Sequence, residues 1–330
     1  MLISYSPLRI SFGGGGSDIE PFVSKYGGSV INATIDRGVL VKYAYDSSQL
    51  ELSSRDFVKS YVVNMNHGKE TVIEKMVNLI ISRGIGTGRV IMSGDVPPGS
   101  GLGSSSAALS SIINMINSIT GKTLSRDELA REAYEIEKNY FRIVLGKQDP
   151  YAISFGGFKY MEFRKDEIKY ESLNEYTDFI KELESRIILV YTGKTRQSSE
   201  VLLDQVNRTE SGDTEVTEKL ERIRDIALSM KKSVLNNDFK DFADGINEGW
   251  EVKKTLGNEI SNPRVEKMIR LVMKNGGIAA RLMGGGSQGF ILAISRENML
   301  NDLQRQMMGS SRFVVRTSFD LKGTRKINIP

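Results

Sequence analysis

Three glycine-rich segments carry the residues whose types and spacing could do chemistry: GGGGSD at 13–18, PGSGLGSSSAA at 98–108 and GGGSQG at 284–289. The middle one says most. Gly99, Gly101 and Gly103 let a backbone approach a ligand closely and adopt positive φ. Ser104, Ser105 and Ser106 then open a helix whose unpaired first-turn amides and dipole favour an anion. A glycine turn with one serine cap would satisfy local structure alone, but three contiguous serines exceed what capping requires. Pro98, Gly99, Ser100, Gly101, Leu102, Gly103, Ser104, Ser105 and Ser106 are therefore expected to cradle phosphate.

The segment matches neither common nucleotide loop. The two Gly-Lys-Thr runs, beginning at Gly121 and Gly193, lack a glycine five positions earlier, so no Walker A loop is present. The pattern G-x-G-x-x-G fails at Ser104, which disfavours a dinucleotide-binding fold.

Composition narrows the chemistry further. The 330 residues contain no cysteine, so disulfides, thiolate metal sites and cysteine nucleophiles are excluded together. The single histidine, His67, lies in the polar stretch NMNHGKE and reads as an ordinary surface residue. Catalysis must use oxygen groups and basic nitrogens other than a histidine cluster. A net charge of +4 is too small over this length for a nucleic-acid-binding field. No run approaches the roughly 18 apolar residues of a membrane helix, and the start MLISYSPLRISF lacks a signal-peptide pattern. A cytoplasmic protein that binds neither nucleic acid nor membrane is expected.

The elements that must position these residues follow from periodicity. Residues 2–12, 28–46 and 50–64 read as strands, 70–83 as a helix and 89–93 as a short strand. The helix after the serines is apolar at Ala107, Ala108, Ile112, Met115, Ile116 and Ile119, with Gly121 as its stop. Ser125 and Glu128 form a capping box for the next helix. Strands are expected at 156–163 and 186–193, helices over most of 194–258 and at 265–274, and strands near 278–283, 289–295 and 312–328. The chain reads as an α+β two-domain protein, divided into 1–170 and 171–330.

In order and spacing, the three segments resemble the motifs of the GHMP kinases, and the resemblance extends over essentially the whole chain. PLRISFGGGGSD, GKQDPYAISFGGFKYMEF, YTGKTRQSS and WEVKKTLGNEISNP are most similar to the D-glycero-D-manno-heptose 7-phosphate kinase group. RLMGGGSQGF departs from the family's usual third motif at Ser287 and Gln288. The resemblance implies a ribosomal-protein-like amino-terminal domain, a ferredoxin-like carboxy-terminal domain, and ATP with Mg2+ in the cleft between them. It implies Ser105 and Glu137 as metal ligands, Asp149 as the group that orients or deprotonates the acceptor hydroxyl, and Arg9 as its basic partner. Glu135 competes with Glu137, but roughly 200° of helical rotation separates them, so only one can face the nucleotide.

Gly14, Gly15, Ser17 and Asp18 resemble the substrate-contacting turn, with Asp18 also a candidate cap for a helix starting at Ile19. Lys194, Arg196, Lys253 and Lys254 are the candidate contacts for a phosphate already on the substrate. Trp250 reads as packing. Gly284, Gly285 and Gly286 are expected to support the cleft floor. The expected partner is a small molecule, and a homodimer is compatible with the reading. A mevalonate-pathway kinase is the alternative, with an ATP-consuming decarboxylase and a non-catalytic nucleotide sensor behind it. Carboxylates and amides ringed around Asp18 would favour a sugar, and a smaller apolar acyl pocket would favour mevalonate compounds.

Overall fold

The computed structural model describes residues 1–54, 60–62, 71–193 and 199–328, so His67, Lys194 and Arg196 lie outside the described residues. The chain opens with β1 (Leu2–Gly13), the short α1 (Phe22–Tyr26), β2 (Gly28–Ala44), β3 (Leu50–Ser54), β4 (Ser60–Val62), α2 (Val72–Ser82) and β5 (Gly88–Gly94). Then come α3 (Ser104–Thr120), α4 (Arg126–Glu135), a π-helical turn (Ile136–Tyr140), α5 (Gln148–Phe155), β6 (Phe158–Phe163) and β7 (Ile168–Ser172). These strands form one sheet in the order β1-β2-β5-β3-β4, with β6 on the same edge of β2 as β5 and β7 beyond it. The length of β2 explains the branch. Its residues 28–33 pair with β6 and its residues 39–44 with β5, while β1 runs antiparallel along its other edge. Strands β3 and β5 are parallel and are joined through β4 and α2.

The remainder comprises α6 (Thr177–Glu184), β8 (Ile187–Tyr191), α7 (Ser199–Glu210), α8 (Thr214–Leu235), α9 (Phe239–Lys253), α10 (Pro263–Lys274), β9 (Gly277–Leu282), β10 (Phe290–Ser295), α11 (Leu300–Met308), β11 (Val314–Arg316) and β12 (Arg325–Ile327). Four of its strands form an antiparallel sheet in the order β11-β8-β10-β9. With helices between β8 and β9 and between β10 and β11, that order is the ferredoxin-like arrangement that the family resemblance implied. The expected strand region at 312–328 divides: β11 closes this second sheet, whereas β12 returns to pair with β1 in the first. Periodicity did not separate two three-residue strands serving different sheets.

One apolar cluster unites the sheets. Phe12 and Ile31 of the first sheet, Ile226 and Met230 of α8, Phe242 of α9 and Leu292 of β10 all belong to it. Phe12 meets Phe158 edge-on at 5.6 Å and Phe242 at 5.3 Å, geometries that add to area burial. The predicted capping box is formed, with Ser125 accepting from the Glu128 amide. Trp250 is buried in a second cluster, as packing.

Candidate active site

The phosphate loop leads from β5 into α3. Gly99, Gly101 and Gly103 have φ of 73°, 80° and 74°, so all three use the left-handed region that their lack of a Cβ permits. Gly103 is the N-cap of α3 and no side chain caps that end, leaving the first-turn amides uncommitted to a side chain. Two backbone bonds and one side-chain bond anchor the loop's carbonyls from behind. The Arg9 amide of β1 donates to Leu102 O at 3.0 Å, the Phe290 amide donates to Ser100 O at 3.0 Å, and Arg9 Nη1 donates to Gly101 O at 2.5 Å.

The 284–289 loop, the hairpin between β9 and β10, presses on the same cradle. A Cβ on Gly101 would stand 2.5 Å from Met283 O, and one on Gly284 would stand 2.6 Å from Gly101 Cα. Gly285 and Gly286 complete the bend, and the departure at Ser287 is accommodated by a φ of 69° and a 2.7 Å bond from its amide to Ile260 O.

Beside α3, the π-helical turn carries Glu137. Its Oε1 accepts from Ser105 Oγ at 2.8 Å and its Oε2 from Ser106 Oγ at 2.6 Å. Glu137 is buried, whereas Glu135 is exposed and bonds Asn139, so the single inward carboxylate is the expected one. Burial pushes the Glu137 carboxyl up to about 7, and the serine bonds only partly offset this. An oxygen-only donor set next to a phosphate cradle is chemically suited to a hard cation such as Mg2+, which keeps waters and takes one or two carboxylates plus phosphate oxygens.

Asp149 lies in the first turn of α5, and Arg9 grips it from β1. Nε donates to Oδ1 at 2.6 Å and Nη2 to Oδ2 at 2.7 Å. The arginine side chain is 5% exposed and the aspartate 26%, so the carboxylate keeps a face open to a ligand. Gly103 adjoins both: a Cβ there would come within 3.3 Å of Arg9 Cγ and 3.5 Å of Asp149 Oδ2.

The 14–18 turn completes the site. Ser17 Oγ lies within hydrogen-bond distance of Gly14 O, Ser29 O and the Ser29 amide, which clasps the turn to β2. Asp18 does not cap a helix starting at Ile19, because α1 begins only at Phe22 after Pro21. Its buried carboxylate instead accepts from the Gly16 amide at 2.9 Å and the Gln148 amide at 3.0 Å, tying the turn to the start of α5. Burial raises its pKa above the usual carboxylate value, against those bonds.

Around Gly15 stand Ser11 Oγ, Gln148 Nε2 and Lys253 Nζ, at 3.4, 3.8 and 3.8 Å from where a Cβ would lie. Ser11 Oγ donates to Gln148 Oε1 at 2.8 Å. Sequence reasoning had not singled out Ser11, Gln148 or the buried Arg281 of β9. Ser11 lay two residues beyond Arg9 on the same strand face, and Gln148 directly preceded Asp149, which were the available signals. Lys254, by contrast, pairs with Glu251 away from these groups.

The fold and this site define a class. The GHMP kinases N terminal domain matches residues 70–157 and the GHMP kinases C terminal domain matches residues 230–310. The chain belongs to the GHMP kinases and is a phosphotransferase with a hydroxyl acceptor on a small molecule. It is 29% identical to the D-glycero-alpha-D-manno-heptose 7-phosphate kinase of Campylobacter jejuni, over 98% of each chain. A crystal structure described as a D-glycero-D-manno-heptose 1-phosphate kinase of Bacteroides thetaiotaomicron superposes with a TM-score of 0.79 and 27% identity, covering 100% of both chains. The mevalonate kinase of Methanocaldococcus jannaschii is 26% identical over 66% of this chain and 65% of its own. Among the described residues, no helix is long and apolar enough to cross a membrane.

Proposed function

We propose that this kinase transfers the γ-phosphoryl group of Mg-ATP to a hydroxyl of D-glycero-D-manno-heptose 7-phosphate. The observation that carries the sugar assignment is the polar pair beside Gly15, the Ser11 hydroxyl and the Gln148 side-chain amide, with the Asp18 carboxylate bonded to the Gly16 and Gln148 backbone amides next to them. Donors and acceptors so arranged suit a polyhydroxylated acceptor. The full-length relation to a heptose 7-phosphate kinase points the same way, whereas the mevalonate kinase relation covers 66% of the chain.

Phosphoryl transfer needs in-line placement, charge neutralisation and a group that handles the hydroxyl proton. Amides of residues 99–106 hold the nucleotide phosphates. Ser105 and Glu137 would hold magnesium, which when bound neutralises charge on the phosphate oxygens. Asp149, fixed by Arg9, accepts a hydrogen bond from the acceptor hydroxyl and takes or orients its proton. Asp18 holds the substrate turn against α5, and its remaining lone pairs can accept from sugar hydroxyls.

The deciding experiment measures acceptor-dependent ADP formation with Mg-ATP for heptose 7-phosphate, galactose, mevalonate, mevalonate 3-phosphate and mevalonate 5-phosphate. Turnover of the heptose phosphate is expected. A mevalonate-series acceptor would replace the assignment, and nucleotide binding with silence throughout would favour a sensor.

A further inference from the structure

Lys253 and Arg281 are cations without counter-ions. They are 7% and 2% exposed, and neither forms an ion pair with a carboxylate among the described residues. Lys253 Nζ donates to Gly284 O at 2.8 Å, leaving two of its three protons to be placed. Arg281 Nη1 donates to Phe12 O at 2.6 Å, and its buried Nε has no partner among the described residues. Arg9 is matched by Asp149. Beside Asp149, the carboxylate whose charge acts on Lys253 is Asp18, whereas the charge that acts on Arg281 is a further cation, Arg9. An unpaired buried charge is costly, and such arrangements are retained where an arriving ligand supplies the counter-charge.

The location says which ligand. Gly284, whose carbonyl Lys253 holds, lies directly against Gly101 of the phosphate loop. Gly101 is also the residue whose carbonyl Arg9 holds. Lys253 and Arg9 thus brace the two touching backbones from adjacent positions, with Asp149 and the Gly15 turn beside them. A phosphate already on the acceptor is not at the hydroxyl being phosphorylated, whereas this corner is where nucleotide, hydroxyl and Asp149 meet.

Resting on the kinase reading, we infer that Lys253, backed by Arg281, is a further catalytic residue that donates hydrogen bonds to the phosphoryl group in transfer, not to a phosphate the acceptor already carries. As the acceptor oxygen bonds to the γ-phosphorus, the bond from that phosphorus to the β–γ bridging oxygen breaks. ADP leaves with the electron pair, the hydroxyl proton passes to Asp149 or solvent, and the ammonium stabilises the non-bridging oxygens. Burial, helped by Arg281 and Arg9 and opposed by Asp18 and Asp149, pushes Lys253 down to about 7. An incoming anion favours its charged form.

The test uses full-length protein and the variants Lys253→Met and Lys253→Arg. Calorimetry compares affinity for Mg-ADP with and without aluminium fluoride, a mimic of the transferring phosphoryl group that needs no knowledge of the acceptor. Wild type should bind at least tenfold tighter with fluoride, Lys253→Met should lose that increment while keeping its Mg-ADP affinity, and Lys253→Arg should recover part of it. No increment in wild type, or the same increment in Lys253→Met, overturns the inference.

With whichever acceptor turns over, Lys253→Met should lower kcat by about 10²–10³ and leave acceptor KM within a few-fold. A raised KM with unchanged kcat would return Lys253 to the acceptor's own phosphate. Gly15→Ala guards against misfolding: its methyl group meets neighbours only at 3.4 Å and beyond, so the fold should survive while the space before Nζ is narrowed and kcat falls. Full activity in that variant counts against the inference. Failure of the heptose assignment would show separately, as wild type that turns over another acceptor.

Discussion

Arg9 holds both oxygens of Asp149, through Nε at 2.6 Å and Nη2 at 2.7 Å, and spends its remaining nitrogen on Gly101 O. One guanidinium therefore sets the aspartate's position relative to the phosphate loop. A lysine could supply the charge but not the three-way fork. Arg9→Lys is expected to lower kcat at least tenfold with ATP affinity within a few-fold, read by steady-state kinetics and nucleotide titration.

Asp149→Asn keeps the shape of the side chain and removes its capacity to take a proton. It should retain ATP binding and lose about 10²–10⁴ in kcat. Undiminished turnover would remove Asp149 from the proposed role.

Glu137 and Ser105 share one hydrogen bond and one proposed task. Glu137→Gln and Ser105→Ala should each raise the magnesium concentration for half-maximal rate, the glutamine variant by tenfold or more, because a neutral amide is a poorer ligand for a hard cation. Rates measured across a magnesium series decide this, and unchanged half-saturation would place the cation elsewhere.

Gly101→Ala would place a Cβ 2.5 Å from Met283 O at a φ of 80°. The clash is with backbone, so relief requires the two loops to separate. A loss of at least about 2 kcal/mol in urea unfolding is expected, together with weakened ATP binding. Gly121→Ala is the contrast: its φ is 73° with nothing within 4 Å, so only the conformational cost remains.

Lys159 of β6 is buried, and its ammonium donates to Gly156 O at 3.0 Å and Gly157 O at 2.8 Å, just beyond the end of α5. Burial pushes it down to about 7 from 10.5, Arg126 adds to the shift, and Asp320 opposes it. Between those two values the unfolded chain holds a proton that the folded chain lacks, so stability rises with pH across this window. Below pH 7 both forms are protonated and the cost of the buried charge is fully present. From pH 6.5 to 9, wild type should gain about 2 kcal/mol relative to Lys159→Met in urea unfolding. Parallel pH profiles would show that Lys159 stays charged.

Local pattern reached much of this molecule. The glycine-serine run at 99–106, the capping box at Ser125 and Glu128, and the strands at 2–12 and 156–163 are each written in contiguous residues, where turn chemistry and periodicity act. The 140-residue reach from Arg9 to Asp149, the meeting of Ser11 with Gln148 and the bond from Arg281 to Phe12 O depend on strand register, which no local window contains. Glu137 sits between these cases. Rotation on an ideal helix separated it correctly from Glu135, yet the turn carrying it is π-helical, a local widening that periodicity does not reveal. The helices α6 and α11 were missed because they are only 8 and 9 residues long, too short to establish a period.

The apolar cluster that runs from Phe12 through Phe242 to Leu292 has a mechanical consequence. A cleft between two bodies joined by a flexible strap can open by hinge bending, but here a dense aromatic seam would have to be exposed to water first. Substrate entry and product exit must then be governed by segments at the rim, with the sheets fixed, and heating should melt both halves in one cooperative transition.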